Sequence, residues 1–534
     1  METDYKETNP VHNTTHGPVR GVLRKSMYDE LYYSFDGIPY AQPPLGELRF
    51  KEPQDATPWN GVLDCTQPRD KCLQVNRRNN KVEGSEDCLY LNIAVKRLSS
   101  DKPLPVMVYV HGGAFKSGDP SSRAWSPEFL MREDVIYISI GYRLGAFGHL
   151  SFADPSLGIP GNSGLKDIVL ALKWIKANVK YFNGNENNIT LFGHSSGSML
   201  VQLLSVSPQT EGLFNKFILM AGFLQELNRL PNIEYRLAQK LGYQGENIDN
   251  EVYNFIKSAD PNLLASADIL TEFEKCHSDM ITTCTPNVEH YETPAGLILR
   301  EPRELQRKAW SNRIPLMLGT TSDDGFSVSL EILSQHPEVL LPRTLLFLDD
   351  AQMRRQLGKK LVESVCQVDI NDLSEAHLDS LKKVKTYCIM HNQHRLINAR
   401  LAYGKADNYL YRFDFDSPDC NFYRIRRLGP DSREVTHGDD LCYLFKIPDT
   451  FKLDKSRAEY ATICRMASMF VEFALRSNPN SPLTQTLVNW KPVTPDEPNM
   501  CLNINEELRF IPQPELQSLQ FFDKLFEEAG VDLI

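Results

Sequence analysis

The chain has 534 residues, with 58 Lys and Arg against 69 Asp and Glu, a formal net charge of −11 and 41% hydrophobic residues. An acidic balance of this size disfavours nucleic acid or an anionic membrane surface as a partner, and the apolar content suffices for a sizeable core. No apolar run is long enough to span a bilayer, so no transmembrane segment is expected.

From the N-terminus, residues 19–23 and 31–35 read as two strands around a polar turn, followed by an extended, Pro-rich segment at 37–44. Residues 86–93 give a further strand signal. Beyond them strands alternate with helices, the pattern of a largely parallel sheet covered on both faces. Continuous apolar runs at 106–110 and 135–140 predict buried strands. The spacing of Val169, Leu172, Ile175 and Val179 predicts a helix over 168–179. Residues 217–220, 315–318 and 409–413 supply more strands. The stretches 228–268 and 333–401 are helix-rich and polar, suited to capping a sheet, and 458–475 reads as a long helix. With no internal repeat, low-complexity segment or linker, residues 1–534 are expected to form one α/β domain. Its central, mostly parallel sheet is flanked by helices, with an N-terminal β-region and helical cap insertions.

The chemistry concentrates at residues 189–199. Ile189-Thr190-Leu191-Phe192 reads as a short buried strand that runs into Gly193-His194-Ser195-Ser196-Gly197 and then into an amphipathic helix with Met199, Leu200, Leu203 and Leu204. A Ser at such a corner takes a strained backbone, and the flanking glycines avoid a Cβ clash. Its hydroxyl then stands at a helix N-terminus, where the dipole favours a developing anion. An activated Ser also needs a base, an orienting acid and donors for an oxyanion. In this architecture the chain order is Ser, then Asp or Glu, then His. The turn His111-Gly112-Gly113-Ala114 follows a strand and offers backbone N–H groups for the oxyanion, and the N–H of Ser196 supplies the third donor. Asp324 follows the strand ending near Leu318, with Asp323 beside it as the competing acid. His437, in the loop Val435-Thr436-His437-Gly438-Asp439-Asp440, is the base; His336, His377, His391 and His394 fall in helix-like segments.

These residues give the chain a resemblance to the type-B carboxylesterases of the cholinesterase family, and most closely to the insect α-esterases. The resemblance rests on Phe35-Asp36-Gly37-Ile38-Pro39-Tyr40-Ala41, Leu48-Arg49-Phe50, Ser85-Glu86-Asp87-Cys88-Leu89-Tyr90-Leu91-Asn92 and His111-Gly112-Gly113. It continues through Tyr142-Arg143-Leu144-Gly145, Gly164-Leu165-Lys166-Asp167, the Ser195 turn and Tyr409-Leu410-Tyr411-Arg412-Phe413. It implies an α/β-hydrolase fold, a triad of Ser195, Asp324 and His437, and an oxyanion hole of Gly113, Ala114 and Ser196. It also implies a structural ion pair between Arg49 and Glu86, and Cys72 and Cys88 at the positions of the family's first disulfide. Four positions depart from the family pattern: His194 replaces a Glu, Asp324 a Glu, Ser196 an Ala and Ala114 a Gly. Residues 73–84 lack the aromatic that cholinesterases use to hold choline, so choline esters are poor candidates.

The expected function is serine-dependent hydrolysis of small to medium hydrophobic carboxylic esters, with a scavenging role toward organophosphates and other xenobiotics or a role in lipid-ester metabolism. The alternative is a non-catalytic cholinesterase-like binding or adhesion protein, or one that sequesters esters with slow turnover. No cofactor and no metal is expected, and the partners are small-molecule esters. Residues 1–17 contain no apolar signal segment, and the last residues carry no retention or anchor signal. Eleven cysteines without CxxC spacing suggest reduced thiols. The expected location is therefore cytoplasmic, with Cys72 and Cys88 as free thiols.

Overall fold

The computed structural model describes residues 8–276, 283–325 and 329–534. One 11-stranded sheet organises them. In chain order its strands are β1 (Val22–Lys25), β2 (Leu31–Pro39), β3 (Tyr90–Val95), β4 (Leu104–Val110), β5 (Ile136–Ile140) and β6 (Gly184–His194). They continue with β7 (Lys216–Met220), β8 (Leu316–Thr321), β9 (Asn408–Phe413), β10 (Met500–Ile504) and β11 (Leu508–Pro512). The spatial order is β1-β2-β3-β5-β4-β6-β7-β8-β9-β10-β11. From β5 through β10 every neighbouring pair is parallel. The outer pairs β1–β2, β2–β3, β3–β5 and β10–β11 are antiparallel.

Every residue of β4 is buried, as expected of a strand covered on both faces. The period of two along a strand sends its side chains to opposite sides. Val106, Val108 and Val110 join one cluster with Leu172 and Ile175 of α1 (Ser163–Asn178) and Leu200 and Leu203 of α2 (Ser196–Val206). Met107 and Tyr109 join Phe192 and residues of a helix on the other face, among them Met466, Phe470 and Phe473. Full burial of a side chain of this size contributes about 1.5–3 kcal/mol, so each face is held by many such terms. Two further helices, α3 (Leu378–Tyr403) and, past the Ala458–Arg476 helix, α4 (Leu516–Glu528), pack on one another through Leu381, Val384, Cys388, Phe522 and Phe526.

Three features differ from the sequence expectations. The run at 19–23 is two strands, Gly17–Arg20 and Val22–Lys25, in different sheets. Gly21 separates them, and a Cβ there would sit 2.6 Å from the Phe35 ring. The hairpin of β10 and β11 and the helix α4 extend the fold beyond the last predicted strand. Cys72 and Cys88 form a disulfide instead of two free thiols. A bridge between Cys72 and Ser85 draws the two segments together, leaving the cysteine Cα atoms 4.9 Å apart, within the range a disulfide spans.

Candidate active site

The parallel register carries the ends of β4, β6 and β7 to one edge, with Gly193 opposite Val110 and His194 opposite Met220. Ser195 follows directly, with its N–H donating to Met220 O at 2.8 Å. It lies at φ 57°, ψ −127°, an unfavourable region for a residue with a side chain, and α2 begins at the next residue. The glycines are steric necessities. A Cβ on Gly193 would stand 2.5 Å from Gly197 C, and one on Gly197 only 2.2 Å from Val110 O.

The turn after β4 is equally constrained. Gly113 has φ 135°, where a Cβ would strike Ser117 O at 1.7 Å, and Ala114 and Phe115 also have positive φ. Ser117 ties the turn closed, its N–H and hydroxyl both donating to Gly113 O at 3.1 and 3.0 Å. Below it, Tyr142 Oη donates to His111 O at 2.6 Å, and the two rings stack with centroids 4.5 Å apart. Burial pushes His111 down to about 4, so this ring is neutral at physiological pH. The N–H groups of Gly113, Ala114 and Ser196 find no acceptor among the described residues. Unsatisfied donors converging on one cleft are unusual in a folded chain and suit an anionic atom.

Asp324 and His437 meet from opposite directions. The segment after β8 is pinned by Ser322 N–H to Phe413 O at 2.9 Å and by Asp323 N–H to Val435 O at 3.1 Å. Asp323 accepts a hydrogen bond from Thr386 Oγ1 at 3.2 Å. Asp324, fully buried, lies with its Oδ1 2.6 Å from His437 Nδ1. The two adjacent carboxylates are thereby distinguished: one meets a helix, the other the imidazole. The His437 loop is shaped by Asp439, whose Oδ2 accepts from Thr436 N at 2.8 Å and whose Oδ1 accepts from the N–H groups of Tyr423 and Arg424.

Gly113, Ala114, Ser195, Ser196 and His437 line a single cavity of about 360 Å³, with Asp324 behind His437. Met199, Phe223, Leu224 and Ile389 give it apolar walls. All six residues singled out in the sequence are thus gathered at one place. His336, His377, His391 and His394 do not line it; His391 and His394 instead pair with Asp523 of α4, at 2.8 and 3.5 Å. Arg49 and Glu86 form the expected bidentate pair at 2.7 and 2.5 Å.

Some neighbours were not anticipated. His194 packs on the His437 imidazole, the two ring centroids being 4.6 Å apart, and its Nε2 faces Asp440 Oδ1 at 3.9 Å. Burial, reinforced by His437 and then Arg427, holds His194 well below its usual range, so it is neutral. Burial, with Asp324 beside it, pushes Asp440 up to about 7. The Asp439-Asp440 pair, one glycine beyond His437, was the available signal. Arg77, Arg343 and Arg427 also line the cavity, and nothing in their sequence neighbourhoods marks them. Arg77 donates to Gly113 O at 3.1 Å and Arg427 to His437 O at 3.3 Å.

Comparison with known proteins gives the family. The profile of the carboxylesterase family matches residues 8–522. Esterase B1 of Culex pipiens is 34% identical over 528 residues, covering 96% of this chain and 97% of the relative. Juvenile hormone esterase of Tribolium castaneum is 30% identical over 524 residues, covering 92% and 87%. Among solved structures, juvenile hormone esterase from Manduca sexta with OTFP covalently attached superposes with a TM-score of 0.84 at 28% identity. That match covers 97% of this chain and all of the other. A match spanning nearly the whole sequence, joined to this fold, establishes that the chain belongs to the carboxylesterase family, enzymes that hydrolyse carboxylic esters on an α/β-hydrolase fold.

Proposed function

We propose that the protein hydrolyses small to medium hydrophobic carboxylic esters through an acyl-enzyme on Ser195. His437 Nε2 takes the Ser195 proton as Oγ attacks the ester carbonyl, then passes that proton to the departing alcohol. Asp324 fixes the ring through Nδ1 and stabilises the imidazolium. The carbonyl oxygen, now carrying the charge, is received by the N–H groups of Gly113, Ala114 and Ser196. Water activated by the same His437 then releases the acid. The observation that carries this reading is the 2.6 Å Asp324–His437 contact opening onto the cavity of the strained Ser195. The OTFP covalently attached in the Manduca sexta structure is consistent with a covalent route.

The same donors would receive a phosphoryl oxygen, which makes organophosphates trapping agents and gives the scavenging role a physical basis. Once phosphorylated, Ser195 would be slow to recover, because water must approach opposite the seryl oxygen, where His437 is poorly placed. The test is a brief exposure to a dialkyl fluorophosphate, followed by peptide mass spectrometry and an ester assay. The expected result is near-stoichiometric modification of Ser195 with parallel loss of activity, and neither in Ser195→Ala. Full ester turnover by Ser195→Ala would overturn the proposal. A cytoplasmic location belongs to the same reading: eight free cysteines among the described residues favour a reducing compartment, and the Cys72–Cys88 disulfide opposes it.

A further inference from the structure

One wall of the cavity is built by Gln225 and Glu226 after β7, Arg343 and Thr344 at the start of a short helix, and Asn392 on α3. These residues interlock. Gln225 Nε2 donates to Asn392 O at 3.3 Å, and Thr344 Oγ1 donates to Glu226 Oε2. Buried Arg395 pairs with Glu226 at 2.9 Å, so the carboxylate of this wall already has its counter-charge.

Arg343 has none. Its Nη2 donates to Asn228 O, and its Nε is enclosed without an acceptor. Its remaining charge contact is the Phe347 ring, 5.5 Å from the guanidinium carbon. Among the described residues no carboxylate forms an ion pair with it. Burial pushes the guanidinium down to about 10, which leaves it cationic at neutral pH. A guanidinium offers five N–H donors in a planar fork matched to a carboxylate, and most of these are unused here. A charge enclosed without a partner is costly, and an anion arriving in the cavity removes that cost. Arg77 and Arg427, on other parts of the lining, add to a positive field that draws such an anion in.

Building on the hydrolase reading, we propose that the cavity accepts esters bearing a terminal carboxylate, received by Arg343 while the ester carbonyl is attacked at Ser195. The reaction stays hydrolytic: water supplies the hydroxyl of the released acid and the proton of the released alcohol. The carboxylate belongs either to the acyl chain, as in a half-ester of a dicarboxylic acid, or to the alcohol.

The experiment compares matched pairs on the purified full chain. For the acyl side the pair is mono-4-nitrophenyl adipate and 4-nitrophenyl hexanoate; for the alcohol side it is 6-acetoxyhexanoate and hexyl acetate, followed by pH-stat. The readout is the ratio of kcat/KM, anionic over neutral. At least one series should give a wild-type ratio above about ten, consistent with a site rejecting a ligand that leaves its buried donor unpaired. Arg343→Met should lower that ratio at least about tenfold through KM, and Arg343→Lys should retain part of it. Ratios at or below one in both series would overturn the proposal, as would a preference that survives Arg343→Met. Should Arg343→Met fail to fold, the wild-type ratios and Arg343→Lys still decide. Absence of Ser195-dependent turnover on all four esters would instead overturn the hydrolase reading itself.

Discussion

Asp324→Asn is the most informative single change, because the chain carries two adjacent candidates for the acid and the structure separates them. In the proposed mechanism His437 takes the Ser195 proton, and its positive charge is then centred about 4 Å from a fully buried carboxylate whose Oδ1 is 2.6 Å from Nδ1. At an effective dielectric constant of about 20, that attraction is about 4 kcal/mol, or about a thousandfold in rate. The amide can also donate to Nδ1, which moves the ring proton to Nε2 and removes the base, so a further factor of up to about ten is expected. The predicted loss in kcat is thus about 10³ to 10⁴, with a small change in KM. Asp323→Asn should stay within about threefold of wild type, because its contact is Thr386 Oγ1 at 3.2 Å and not the imidazole. Steady-state hydrolysis of a 4-nitrophenyl ester measures both, with thermal melts to verify folding. If Asp324→Asn kept more than about a tenth of wild-type kcat, or if Asp323→Asn were the more damaging change, the charge-stabilisation argument would be wrong.

Asp440→Asn should change how stability depends on pH. Burial, then Asp324, raises the folded Asp440 to about 7, against about 3.9 when unfolded. Between those values the folded state holds a proton that the unfolded state has released. The wild type therefore loses stability as pH rises through that window, up to about 4 kcal/mol, and no more above it. The variant should gain on wild type from pH 4 to 7 and then run parallel; denaturant curves that stay parallel throughout would exclude this. Gly197→Ala places a Cβ 2.2 Å from Val110 O, so activity should fall by more than about tenfold and the melting temperature should drop; a fully active variant would refute the steric account. Alkylation before reduction should leave Cys72 and Cys88 protected while labelling the other nine of the eleven cysteines, and labelling of all eleven would exclude the disulfide.

The Ser195 corner was legible because its signals are local: a strand, a steric demand on two glycines and a helix start, all within eleven residues. The buried parallel strands were legible for the same reason, since burial on both faces leaves continuous apolar runs. The β10–β11 hairpin was not. Arg509 and Pro512 interrupt the apolar pattern of β11, whose residues are partly exposed at the sheet edge. Asp324 was named from its position after a strand, but only the tertiary contacts of Thr386 and His437 separate it from Asp323. Arg343 carried no local sign. Its significance arises from its place in the cavity wall, from the distant Asn228 carbonyl and from the lack of a paired carboxylate among the described residues, none of which a local stretch of sequence displays.

Arg395 joins two parts of the molecule that function alone would not connect. Besides Glu226 in the cavity wall, it donates to the backbone carbonyls of Asp532 and Leu533, at 2.9 and 3.0 Å, and its guanidinium lies 4.6 Å from the centre of the Phe526 ring. Removing residues 531–534 would strip it of two acceptors and free it to shift, loosening its grip on Glu226 and through it on Thr344. A change at residues 531–534 is therefore expected to reach the wall that carries Thr344 and Arg343. Kinetic comparisons among esters are best made on protein in which residues 531–534 are left intact.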